Sequence, residues 1–171
     1  METFTMSFDE FKFLSGKLQM LELIETIISD SNGEIVPYEN LLKQIPSLRH
    51  LKIYGPTLPF SQNFMETICV SNVTKLELCR LPETFEFEEF LTYMAKRKPN
   101  ISIDLHINNS HYIQKKIDKY IDNLLSVGLT DSCPPYLSNI EKKRQEALYQ
   151  LRHKYWQRQN EIERNNKKTS K

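Results

Sequence analysis

One spacing constrains this chain more than any other feature. "PSLRHLKIYG" and, twenty-five positions on, "SNVTKLELCR" write the same pattern of apolar residues: Leu48, Leu51 and Ile53 in the first, Val73, Leu76 and Leu78 in the second. Ile101–Ile107 repeats the alternation with Ile103 and Leu105, and Leu18, Leu21 and Leu23 supply a copy upstream. The lead residues Leu21, Leu51, Leu76 and Ile103 stand 30, 25 and 27 positions apart. That is the period of leucine-rich and related repeats, in which each unit buries its apolar side only by stacking on a neighbour. Between the copies lie helical patterns, so each crossover returns the chain to the same end and the strands must run parallel. The expected fold is α/β: a short leucine-rich-repeat-like solenoid of about four parallel strands, with outer helices and a helical C-terminal cap.

Within this frame the chain divides into four stretches: an N-terminal cap segment over 1–16, the repeats with their capping helix over 17–128, a linker over 129–137 and a helical tail over 138–171. In the first, Phe4, Phe8 and Phe11 have helical spacing. Leu18–Ile28 fits either period, and its register with the later copies favours a strand over its first half. Helices are expected after Pro37, from an N-cap at Ser61 to about Cys69, and over "TFEFEEFLTYMAKRK" with Thr84 as cap. In the last of these, Glu86, Glu88 and Glu89 suit the positive helix end and Lys96–Lys98 the negative one. Ile113, Ile117, Tyr120, Ile121, Leu124 and Leu125 mark a longer helix that Gly128 stops. The tail helix is expected from Leu137 to about Ile162, with "NNKKTSK" frayed.

Net charge is +1, but it is unevenly placed. Residues 138–171 hold ten Lys/Arg against four Asp/Glu, and the rest of the chain thirteen against eighteen. A basic tail therefore follows a mildly acidic body. The three cysteines show no metal or redox spacing and read as reduced, buried thiols. The N-terminus lacks a signal-peptide pattern and no apolar run is long enough to span a bilayer, so an intracellular protein, cytoplasmic or nuclear, with no membrane partner is expected. On that reading the sequons at Asn72, Asn100 and Asn108 are chance matches.

Parallel strands with buried leucines leave the intervening residues on the opposite, concave face. The rows are Met20, His50, Lys75 and Ser102; Glu22, Lys52, Glu77 and Asp104; Ile24, Tyr54, Cys79 and His106. A protein partner is expected there, contacting His50, Lys52, Tyr54, Lys75, Glu77, Asp104 and His106. The plainer account of the same rows is cross-strand pairing, with Lys52 between Glu22 and Glu77. His50 and His106 stand two strands, about 10 Å, apart, too far to share a zinc ion, so no metal is expected. With four glycines, no phosphate loop, no GxSxG and no HExxH, the chain proposes no reaction and no cofactor. The alternative is nucleic-acid binding by the tail through Lys142, Lys143, Arg144, Arg152, Lys154, Trp156 and Arg158. Glu141, Glu146, Glu161 and Glu163 interrupt that run, which favours a docked helix with its charges in water.

"SLRHLKIYGP", "VTKLELCRLPETFEFEEFLTYMAKRKPNISIDL" and "QKKIDKYIDNLL" followed by "CPPYL" carry a further resemblance. Over roughly Lys17–Leu137, about seventy per cent of the chain, the order resembles the F-box-associated FTH region and related repeats of nematode F-box proteins. The resemblance implies a substrate- or partner-capturing region for a ubiquitin-ligase adaptor, and it implies no catalytic residues. Sixteen residues ahead of the repeats are too few for a three-helix F-box.

Overall fold

In the computed structural model the described residues are 3–56, 58–108 and 111–169. Asn109 and Ser110, in the turn and sequon expected after the third strand copy, lie outside them, as do Met1 and Glu2 of the N-terminal segment. Among the described residues the chain is an α/β protein whose strands pair with one another in parallel, with a single antiparallel bridge from Ser29 to Ile35 outside the strand ladders. Five strands form the main sheet in chain order: β2 (Met20–Ile24), β4 (His50–Tyr54), β5 (Lys75–Leu81), β6 (Ser102–Ile107) and β7 (Tyr136–Leu137). Leu21 pairs with Leu51, Leu51 with Leu76 and Leu76 with Ile103, so the apolar residues of each copy fall in one row.

Those rows carry the core. Leu51, Ile53, Leu76, Leu78 and Leu105 are almost wholly buried, against α2 (Tyr38–Leu42), α3 (Gln62–Val70), α4 (Phe87–Arg97) and α5 (His111–Val127). Each helix gives the stripe its spacing demands: Phe64 and Ile68 from α3, Phe90, Leu91 and Met94 from α4, Ile113, Ile117 and Ile121 from α5. Ser61 caps α3 by accepting from the Phe64 N–H at 3.0 Å. Thr84 does not cap α4: the helix starts after Glu86, with no side-chain cap. Polar residues at the strand entrances tie adjacent units together. Ser47 Oγ donates to the Leu18 carbonyl at 2.9 Å, and Asn72 Nδ2 to that of Pro46 at 2.8 Å.

The ends differ most from expectation. The N-terminal segment opens with a strand, β1 (Phe4–Ser7), before α1 (Phe8–Ser15), and Ser7 and Glu10 form a reciprocal capping box between them. β1 pairs with β3 (Thr26–Ser29), the continuation of β2 beyond a kink at Glu25, where φ is +44°. The second half of Leu18–Ile28 thus serves a separate two-stranded sheet. Residues 129–137, expected as a linker, are packed: Cys133, Pro134 and Pro135 are buried, and β7 adds a fifth strand beside β6. α5 therefore does not close the sheet. That position falls to β7 and α6 (Lys142–Thr169), a helix that starts later than the expected Leu137 and runs on through the first five of the residues expected to fray; the last two, Ser170 and Lys171, lie outside the described residues. No helix of the described residues is long and apolar enough to cross a membrane.

Candidate functional site

The sheet face turned away from the core brings the expected residues together. His50 stands beside Lys75, Lys52 beside Glu77 and Tyr54 beside Cys79, with Ser102, Asp104 and His106 next in line. Their charges are largely matched within the chain. Lys52 pairs with Glu22, which raises its pKa, and Lys75 pairs with Glu77. His50 Nε2 lies 3.0 Å from Glu77 Oε1, and Lys75 Nζ 3.9 Å from Asp104. Burial pushes the Glu77 carboxyl up, but Lys75 and His50 outweigh it and hold the group below its ordinary range. The cross-strand pairing expected for Lys52 is therefore present, on the Glu22 side.

The ladder does not stop at the sheet. Arg152 of α6 bonds Asp104 Oδ1 and Ser102 Oγ, each at 2.7 Å, and Gln145 reaches the Tyr136 hydroxyl at 2.9 Å. α6 thus crosses the outward side of β6 and β7, burying Leu148, Leu151 and Tyr155 as it goes. The Tyr155 hydroxyl donates to Asn100 Oδ1 at 2.7 Å. The residues expected for nucleic acid divide accordingly. Arg144 is held by Asp122 through two bonds and by Glu141, and Arg158 by Asp131 at 2.7 Å. Lys142, Lys143, Lys154 and Trp156 stay exposed.

Beyond the ladder, at the ends of the strands, the face opens into a recess of about 500 Å³. Tyr54, Arg80, His106 and Ser138 line it, with Lys52 and Glu77 at its edge of the ladder. Tyr54 carries the Arg80 guanidinium over its ring at 5.6 Å, and His106 packs against Tyr136 with centroids 5.7 Å apart. Arg80 also pairs with Glu25. Among the described residues three non-glycines have positive φ, Glu25, Arg80 and Asn139; Arg80 and Asn139 line the recess, and Glu25 pairs with Arg80 at its rim. Such backbone concentrates where surrounding structure over-determines it, commonly at binding sites. The Ser138 hydroxyl is buried and unpartnered among the described residues. Cys79 also lines the recess, its thiol pushed up in pKa by burial.

Sequence reasoning missed Arg80, Ser138 and Asn139: the first is the bulged residue of β5, and the others follow a strand too short to show periodicity. It also missed a second recess, of about 550 Å³, between the N-terminal ends of α3 and α4. Its signal was the proline and phenylalanine content of the loops after β4 and β5: Pro56, Pro59, Phe60, Pro82 and Phe85. No group of His, Cys, Asp and Glu among the described residues is arranged to hold a metal ion. Comparison with protein-family models, with curated proteins and with solved structures finds no match for the chain.

Proposed function

We propose that this chain is a non-enzymatic protein-interaction module. Its parallel strands act as a short leucine-rich-repeat-like solenoid, and its outward sheet face is the concave surface that holds a protein partner. The observation that carries this reading is the recess beside Tyr54 and His106. There two aromatic side chains, a strained rim and an unsatisfied serine hydroxyl meet on a face built from four consecutive strands. Most of the row's charges are neutralised internally, so binding energy falls to the ring residues, as it does at interfaces generally. The resemblance to F-box-associated regions gives the partner a context: capture of a protein for a ubiquitin ligase.

Affinity capture of the full chain followed by mass spectrometry tests this, with recovery of ubiquitin-ligase subunits supporting the receptor role. Tyr54→Ala should weaken the captured interaction by about 2 kcal/mol or more, the range of an aromatic anchor. Lys154→Ala should leave it unchanged. Arg152 is unsuitable as the control because it belongs to the sheet-face ladder. Binding that collapses with added salt and needs Lys143 and Lys154 would instead favour nucleic acid, since phosphate contacts are salt-dependent in that way.

A further inference from the structure

We propose that the recess between the N-terminal ends of α3 and α4 is a second docking site. It takes a short peptide segment that carries a bulky apolar side chain beside lysine or arginine. Its volume, about 550 Å³, lies in the range of sites that enclose a ligand or an anchoring side chain. The walls are Leu58, Phe60, Met65, Phe85, Phe90 and Tyr93. Phe60 packs on Phe64 with centroids 4.8 Å apart and on Phe85 at 6.0 Å, and Phe85 on Phe90 at 5.4 Å. The inner rings, Phe64 and Phe90, are buried, whereas Phe60 and Phe85 are only half-covered. The core therefore continues into the recess and ends there, presenting rigid aromatic surface to whatever enters.

Charge selects the occupant. The ionic side chains lining the recess are Glu86 and Glu89, with no lysine or arginine among them. Neither glutamate forms an ion pair among the described residues. On the sheet face, by contrast, Glu22, Glu77 and Asp104 each meet a cation of the chain itself. The helix dipole accounts for acids in the first turn of α4, but it does not call for an apolar hollow beside them that lacks any basic residue. The missing countercharge is supplied by the ligand, and its apolar side chain fills the hollow.

The test is selection from a phage-displayed random peptide library on the full chain, followed by binding of a synthetic copy of the selected peptide. Expected are peptides that join Leu, Phe or Trp to Lys or Arg. The synthetic peptide should bind Phe85→Ala, and the double variant Glu86→Lys, Glu89→Lys, at least about tenfold more weakly, while Tyr54→Ala binds as the natural chain does. The two glutamates are exposed, so the charge-reversed variant should stay folded with a urea midpoint lowered only slightly by lysines at the positive end of α4, and it remains informative if Phe85→Ala is unstable. No enrichment, selection of acidic peptides, or binding indifferent to charge reversal would overturn the proposal. Binding lost in Tyr54→Ala but not on charge reversal would also overturn it and assign the peptide to the sheet face, so the two sites stand or fall separately.

Discussion

Gly55 ends β4 with φ at +64°, and the Glu25 side chain passes over it to reach Arg80. A Cβ at this position would stand 2.8 Å from Glu25 Cγ. Gly55→Ala therefore meets two obstacles, a backbone conformation that costs an L-residue about 1–3 kcal/mol and a side chain already in the space. Urea titration should show a loss larger than that backbone cost, and the excess should return in a Glu25→Ala background, where only the backbone term remains. A full loss persisting in that background would mean that Glu25 does not obstruct the site. Lys98 makes a second case. Its ammonium lies 2.8 Å from the Ile68 carbonyl and 2.6 Å from that of Ser71, with burial lowering its pKa, so it closes the C-terminal end of α3 from the end of α4. Lys98→Ala should cost about 1–3 kcal/mol, the range for leaving such carbonyls without a charged donor. Gly55-Pro56 could be read from sequence as a strand stop, because those residue types act locally. The partners of Gly55 and Lys98 come from other elements, and nothing in their own neighbourhood announces them.

At the scale of elements, legibility followed length and period. β4, β5 and β6 fell where their alternation put them, and α4 and α5 presented the expected stripes, because several residues agreed on one period. β1, β3 and β7 have four residues or fewer, too short for any pattern to distinguish them from a helix turn or a linker. The sheet-face rows were legible for the same reason as the strands, whereas the recess depends on a bulge and on the return of β7. α6 was legible as a helix but not as to where it lies. Its 28 residues extend about 42 Å, and among the described side chains the last buried one is Tyr155, halfway along. Deleting residues 160–171 should change stability by no more than about 0.5 kcal/mol, since the described side chains there contact water. Deletion from Lys142 onward removes the buried Leu148, Leu151 and Tyr155 at about 1.5–3 kcal/mol each and leaves Asp104 without Arg152. Urea titration of the two truncations separates these outcomes, and equal stability in both would mean that α6 does not dock.

For the whole molecule, the contrast of acidic body and basic tail is met in part inside the chain, by three arginines of α6. Arg144, Arg152 and Arg158 reach Asp118, Asp122, Asp104 and Asp131 across the surface between α6 and the rest. The pH dependence follows from the groups that shift. Burial raises the Glu77 carboxyl, but Lys75 and His50 bring it to a net value below its ordinary one. The bond from Arg144 lowers Asp122, and those from Ser7 lower Glu10. A carboxyl whose folded pKa lies below its unfolded value binds protons more tightly in the unfolded chain. Its stabilisation is complete above the unfolded value and is lost as pH falls through the folded one. Lys52 runs the other way: raised by Glu22, it contributes fully below the unfolded lysine value and fades as pH rises through its folded one. Stability should hold level through neutral pH, fall below about pH 4, where paired carboxylates take up protons, and decline again above about pH 10. Glu77→Gln removes the one of these carboxyls that links β4, β5 and, through Lys75 and Asp104, α6. Its urea midpoint should lie below that of the natural chain at pH 7, and the two should converge as pH drops below about 4. If the gap instead stays constant down to acid pH, Glu77 is acting through its shape and hydrogen bonds, and the ladder does not depend on its charge.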